Sequence, residues 1–318
     1  MSEAKRPTAI PRLLVLLVVV LVVVALKFVG LFRPADITIG GKDFTEQSVL
    51  CEMMATLIEE NTDLRVDRRP FLGGTMVCFN GLRGGELDAY AEYTGTGLVN
   101  ILGRDALSDP NETLAVVRQT FAKEYNLTWL EPFGFNNTYT LTMRREQAEE
   151  LGIRTFSDLA RHITSGNEPQ LTAGFTFEFL DRPDGYRGLC EAYAFEFTDE
   201  PRGFDPGLMY KACADRELDV ICAFATDGRI AAFDLVTLTD DRQFFPPYYA
   251  APLIRNETLE AHPELRDLLN QLGGVIDDET MQQLNYQVDR KDNPRRARDV
   301  AREFLIEQGL ILSQQSQE

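Results

Sequence analysis

The sequence predicts an α/β protein of two lobes behind one apolar N-terminal segment. Three observations predict it. From Asp36 to Phe133, short stretches of strand-like alternation are interleaved with stretches of helical spacing, the pattern of a sheet with helices packed on its faces. A second interleaved set runs from Tyr139 to Leu238, and ahead of both lies an unbroken apolar run from Leu13 to Leu26. At 318 residues, 44% hydrophobic and 10% aromatic, the chain has the length for two lobes of ordinary domain size and the apolar content of a folded protein.

At the N-terminus, Phe28 to Phe32 extend the apolar run past Lys27, so residues 13–32 reach the roughly 20 residues with which a helix crosses a bilayer. Lys5, Arg6 and Arg12 precede the run. By the positive-inside tendency this leaves residues 1–12 in the cytoplasm and everything after Pro34 outside it. A cleavable signal would share this basic start and apolar centre, but no small-x-small site follows Leu26, which favours a retained transmembrane anchor.

The following part opens with a strand over Asp36 to Gly40. Next comes a helix that Thr45 can cap and whose Leu50, Met53, Met54 and Leu57 share a face. A strand over Leu64 to Arg69, a helix over Gly74 to Arg83, a strand over Ala89 to Glu92, a helix over Leu114 to Tyr125 and a strand over Leu127 to Phe133 complete the first set. That order predicts a largely parallel sheet. In the second set, strands near Tyr139 to Met143, Leu171 to Phe175, Val220 to Phe224 and Leu235 to Leu238 alternate with helices over Thr155 to Ile163, Gly185 to Phe195 and Pro206 to Arg216. After Pro246 and Pro247 come a strand over Ala250 to Arg255 and helices near Pro263 to Gly273, Asp277 to Val288 and Pro294 to Glu307. The expected division is residues 36–137 plus 247–312 for lobe I, 138–246 for lobe II, and a loose polar tail over 313–318. Ligands of α/β folds bind where loops at the carboxyl ends of strands converge. Two facing lobes therefore predict a cleft site built from both.

Fifty acidic residues against 32 basic ones give a net charge of −18, which repels nucleic acid, so no nucleic-acid partner is expected. Cys51, Cys78, Cys190, Cys213 and Cys222 lack CxxC spacing and a histidine cluster, which argues against a metal site. Outside the cytoplasm Cys51 with Cys78, and Cys190 with Cys213 or Cys222, are candidate disulfides; buried thiols are the alternative. His162 and His262 are the only histidines, and neither adjoins a candidate nucleophile. With no GxSxG, HExxH or P-loop string in the sequence, neither catalysis nor a cofactor is expected.

Four strings occur in order: GGKDFTEQ at Gly40 to Gln47, AEYTGTG at Ala91 to Gly97, TDGRI at Thr226 to Ile230 and FFPPYYAAPLIR at Phe244 to Arg255. Together with MQQLNYQV at Met281 to Val288 and AREFLIEQGL at Ala301 to Leu310, they resemble the substrate-binding proteins of ABC importers for glycine betaine, choline and related osmoprotectants. The likeness covers Asp36 to Leu312. It implies a two-lobed periplasmic-binding-protein fold of the type II kind, crossed twice by the chain, near Asn136 to Tyr139 and near Phe245 to Tyr249. It also implies an extracytoplasmic location, permease and ATPase subunits encoded separately, and no enzymatic activity. The alternative is a membrane-anchored sensing domain for the same or another small solute.

A trimethylammonium group has no N–H to donate, so a protein recognises it by surrounding the cation with aromatic faces. The resemblance implies Tyr93, Tyr139, Phe224 and Tyr248 for such a cage, with Phe224 standing where the family is expected to carry tyrosine. For a ligand carboxylate it implies Lys42, Thr96 and Arg182, cations and donors of the kind an anion needs. An ion pair of Arg182 with Asp181 or Asp184 competes with that role. Asn137 is expected to orient Tyr139 or polar ligand atoms, and Asp227 to cap a helix start.

Overall fold

The structure is a computed structural model that describes residues 34–166 and 169–313. The cytoplasmic stretch and membrane anchor expected over residues 1–32, and the tail beyond residue 313, lie outside the described residues. Among the described residues no helix is long and apolar enough to cross a membrane.

The first set comprises β1 (Ile37–Gly40), α1 (Thr45–Asn61), β2 (Val66–Arg69), α2 (Thr75–Gly84), β3 (Ala89–Tyr93), α3 (Pro110–Tyr125) and β4 (Leu127–Trp129). The second runs through β5 (Tyr139–Arg144), α4 (Arg145–Leu151), α5 (Phe156–Thr164), β6 (Ala173–Thr176), α6 (Phe177–Asp181), α7 (Tyr186–Tyr193), β7 (Arg202–Phe204), α8 (Pro206–Ala214), β8 (Val220–Phe224), α9 (Gly228–Ala232) and β9 (Leu235–Thr237). β10 (Ala250–Arg255), α10 (Asn256–Ala261), α11 (Glu264–Asn270), α12 (Asp278–Asp289) and α13 (Ala297–Glu307) follow. Strand and helix positions read from periodicity agree with these to within a few residues. The elements not foreseen, α4, α6, α10 and β7, are too short to display a period.

Two five-stranded sheets form, in the orders β2-β1-β3-β10-β4 and β7-β6-β8-β5-β9. Each is parallel but for one strand: β10 runs against β3 and β4, and β5 against β8 and β9. β5 and β10 are the strands that follow a passage from one sheet to the other. A strand arriving that way enters at the cleft edge and runs away from it, while the remaining strands run toward it. In β3 the alternation of a strand sends Ala89, Ala91 and Tyr93 into the main core and Tyr90 into a second core beneath α2 and α3, where Phe79, Phe121 and Trp129 also pack.

α1 departs from its sequence reading in two ways. It is buried on nearly every side, Val49, Cys51, Ala55 and Ile58 included, because α12 and α13 pack against it. Its N-cap position is Phe44, without a side-chain cap, and Thr45 is its first helical residue. The Thr45 hydroxyl donates to Asp289 of α12 at 2.6 Å rather than capping its own helix. Asp227, by contrast, caps α9 as expected, accepting from the Arg229 amide at 2.9 Å. None of the candidate disulfides forms: all five cysteines are free thiols, four of them buried. Cys51 and Cys78 belong to different cores, one on each side of the first sheet.

Candidate ligand-binding site

The carboxyl ends of four strands meet between the sheets. β1 delivers the loop with Lys42 and Phe44; β3 ends at Tyr93 and turns directly into the helical turn Thr94–Thr96. From the second sheet, β6 leads into α6 with Glu178 and on to Arg182, and β8 ends at Phe224. The two passages between sheets supply Asn137, Tyr139 and Tyr248. They lie side by side, tied by an Asn136–Tyr249 bridge, by the Asn137 amide donating to the Tyr248 carbonyl at 3.1 Å, and by the Tyr248 amide donating to Asn136 Oδ1 at 2.7 Å. Gly95 makes this approach possible, because a Cβ there would stand 2.8 Å from the Pro247 carbonyl and the Tyr248 ring.

The eight residues expected to touch a ligand line one nearly closed cavity. Tyr93, Thr96 and Lys42 approach from the first sheet, Phe224 and Arg182 from the second, and Asn137, Tyr139 and Tyr248 from the passages. Phe44, Thr75 and Glu178 complete the wall. The rings form a continuous series across the cleft. Phe44 lies 6.3 Å from Tyr93 and stacks on Phe224 at 5.0 Å; Tyr139 is 4.9 Å from Phe224 and 5.6 Å, edge-on, from Tyr248. Phe44 and Phe224 come from opposite sheets, so the stack spans the cleft.

Both cations are engaged by internal acids. Lys42 Nζ donates to Glu92 at 2.6 Å and to Thr75 at 2.9 Å, and sits 5.0 Å over the Tyr93 ring. Arg182 makes a two-pronged pair with Asp184, at 2.8 and 2.6 Å, and reaches Thr96 Oγ1 at 3.3 Å. Its guanidinium lies 5.2 Å over Tyr139 and 5.8 Å over Tyr248, and the Tyr248 hydroxyl donates to Asp184 as well. The competing reading of Arg182, an ion pair with Asp184, is therefore realised. Glu92 accepts further from the Tyr90 hydroxyl at 2.9 Å.

Behind the rings lies Glu46, 2% exposed. It accepts from Tyr93 Oη at 2.7 Å, Asn137 Nδ2 at 2.8 Å, Thr226 Oγ1 at 2.5 Å and Asn285 Nδ2 at 3.0 Å. Burial pushes its pKa up against the pull of those four donors. Asn137 thus orients Tyr93 through Glu46, rather than Tyr139. Toward solvent the cavity adjoins a vestibule that shares Phe44, Glu178 and Phe224 and adds Asp43, Phe177 and Asp205. Burial, with Glu178 and Asp205 nearby, raises the Asp43 pKa.

Phe44 and Glu46 stand inside the GGKDFTEQ string and Glu92 inside AEYTGTG, yet nothing in spacing separated them from residues that pack the core. Glu178 and Thr75 carried no signal of their own; only the fold brings them to the cleft.

The family model for the substrate-binding domain of ABC-type glycine betaine transport systems matches residues 35–307. The chain is 38% identical over 271 residues to the carnitine transport binding protein OpuCC of Listeria monocytogenes, covering 85% of each chain. It is 37% identical over 289 residues to the glycine-betaine-binding protein of Pseudomonas aeruginosa, covering 89% of this chain and 91% of that one. Among solved structures it is similar to the crystal structure of a glycine betaine/carnitine/choline ABC transporter, with a TM-score of 0.70, 34% identity, and coverage of 86% of this chain and 99% of that one.

Proposed function

The chain belongs to the family of substrate-binding domains of ABC-type glycine betaine transport systems, and from that premise we propose that it captures a quaternary-ammonium solute in an aromatic cage closed by both lobes. It is a substrate-binding, non-enzymatic component of an ABC importer for betaine-, carnitine- or choline-type ligands, acting outside the cytoplasm. The observation that carries the cage is the ring series Tyr93, Phe44, Phe224, Tyr139 and Tyr248 across the cleft. Such an assembly of π-faces suits a methylated cation that offers no hydrogen bond. Because Phe44 and Phe224 stack from opposite lobes, parting them and opening the cleft are one motion. A ligand held against both rings then favours the closed form, the only one in which it touches both lobes. Lys42, Thr75, Thr96, Asn137 and Arg182 bring polar atoms to the cavity wall for the hydroxyl or carboxylate of the solute.

Closure presents both lobe tips to a separately encoded permease and ATPase. The apolar run over residues 13–32 anchors the protein to the membrane and keeps it near that permease, raising its local concentration there. Titration calorimetry of the full chain with choline, glycine betaine and carnitine tests the ligand class. Binding of at least one of them is expected, and silence from all three, with amino acids bound instead, would overturn it.

A further inference from the structure

Glu178 is the cavity residue that a cage does not account for. It belongs to lobe II, at the second position of α6, and its side chain is 29% exposed. It borders the cavity, the vestibule and a third pocket beside α2, and so stands between the ligand space and solvent. Its carboxylate reaches across the cleft to lobe I. Asn100 Nδ2 donates to Oε1 at 3.3 Å, and Oε2 would lie 3.0 Å from a Cβ at Gly74, the N-cap position of α2. Gly74 brings no side-chain cap to that ten-residue helix, and Thr75, its first residue, lowers the Glu178 pKa from beside it. Lys42 Nζ shares Thr75 at 2.9 Å, and Arg182 Nη1 lies 3.5 Å from Glu178 Oε1. A helix N-terminus flanked by two cations is where a ligand carboxylate would be expected to settle.

We infer that Glu178 fills this anion position from within the protein and thereby biases the cleft toward quaternary ammonium ligands with a neutral tail, and against those that carry a carboxylate. The inference rests on the ligand class proposed above and decides between its members. Charge pairing is the reason. Lys42 pairs with Glu92, and Arg182 pairs with Asp184 and, at 3.5 Å, with Glu178, so three carboxylates stand against two cations. Burial works to raise the Glu178 pKa, but Lys42, Arg182 and Thr75 outweigh it and hold the carboxyl below its usual value, so it is ionised at neutral pH. A ligand with net charge +1 balances that charge on closure. A zwitterion brings its own carboxylate against Glu178 and leaves the excess negative charge of the cleft uncompensated, which is costly as the site closes. Any ionised fraction of Glu46 adds to the same sign.

Titration calorimetry of the full chain with choline, glycine betaine and glycine betaine methyl ester tests this. The ester keeps the shape of the betaine and removes its charge. Wild-type protein is expected to bind choline and the ester at least about tenfold more tightly than glycine betaine. In Glu178→Gln the ratio of choline to betaine affinity is expected to fall by about tenfold or more. In Asn100→Ala, which keeps the charge and removes a neutral contact, the ratio should stay within about twofold. Equal binding of acid and ester by the wild type, or an unchanged ratio in a folded Glu178→Gln, would overturn the inference while leaving the ligand class intact. If the wild type binds none of the three, both fall together.

Discussion

Thr226 of lobe II donates its hydroxyl to Glu46 of lobe I across the cleft, Oγ1 to Oε2 at 2.5 Å. The other three donors to Glu46 come from Tyr93 at the end of β3, Asn137 in the first passage and Asn285 in α12. Asn285 Nδ2 also donates to the Thr226 carbonyl at 2.9 Å, and the Thr226 amide donates to Asn137 Oδ1 at 3.3 Å. One buried carboxyl therefore joins both lobes, a passage and a ring of the cavity wall. Swinging lobe II away removes Thr226 first, and with it part of what fixes Tyr93.

Thr226→Val keeps the shape of the side chain and removes this donor. A hydrogen bond to a charged or partly charged group is worth about 1.5–3 kcal/mol. Ligand affinity measured by calorimetry should fall about tenfold or more, with a smaller change in thermal stability, since the loss falls on the closed form. Unchanged affinity would mean that the contact does not take part in closure.

Phe44→Ala and Phe224→Ala each remove one member of the stack that crosses the cleft. A desolvated cation–π contact contributes on the order of 2 kcal/mol, so each variant should bind a quaternary ammonium about 10- to 30-fold more weakly. Phe224→Leu, which keeps apolar bulk without a π-face, separates the two contributions: affinity near that of the wild type would assign Phe224 to packing alone.

How much of this could be read in advance is clearest from Lys42 and Arg182. Both are legible in the sequence, and both line the cavity, because they sit in strings specific enough to locate. Their partners are harder to see. Glu92 lies 50 residues from Lys42 in sequence, and an acid in a chain with 50 of them carries no mark of its own. Asp184, two residues from Arg182, is legible as a competitor for that reason. The alternation of strand and helix is equally legible, since period 2 and period 3.6 are local properties. The antiparallel sense of β5 and β10 follows from the path between lobes, which no local window contains.

Arg182 and Asp184 are 2% and 5% exposed at their side chains, so removing one leaves the other as a buried, unpaired charge. Arg182→Met should destabilise the fold by about 3–5 kcal/mol, read from urea denaturation. Arg182→Met with Asp184→Asn should recover most of that loss, because both charges then leave together. Equal destabilisation by the single and double variants would show that packing of the Arg182 stem, and not its charge, is at stake.

With five free thiols, four of them buried, reductant should leave the melting temperature unchanged. A thiol titration in denaturant should count five groups. In the native protein Cys190 should react first, as it is the one thiol that is not fully buried, and slowly, because burial pushes its pKa up to about 11. Fewer than five groups in denaturant without reductant would mean that a disulfide forms.

Asp289 gives the lobe contact a pH dependence. It lies on α12, where it accepts from the Thr45 hydroxyl, and Arg229 Nε of α9 approaches it at 3.7 Å while Arg229 pairs more closely with Asp227. Burial, only partly offset by Arg229 and reinforced by Asp227, raises its pKa from 3.8 to about 6. Because the folded value lies above the unfolded one, the stability this group contributes is present below pH 3.8 and is lost as the pH rises through about 6. A rise of that size in a largely buried carboxyl corresponds to about 2–3 kcal/mol. Asp289→Asn, which keeps an acceptor for Thr45, should therefore be more stable than the wild type at pH 7 and should lack the decline between pH 4 and 6 that this group produces. Gly228 tests the same contact sterically, since a Cβ there would stand 2.2 Å from the Tyr286 amide nitrogen. Gly228→Ala should push α9 from α12 and weaken ligand binding at every pH. If the wild type and Asp289→Asn trace parallel urea-midpoint curves from pH 4 to 7, Asp289 titrates as an ordinary carboxylate and the lobe contact is not proton-linked.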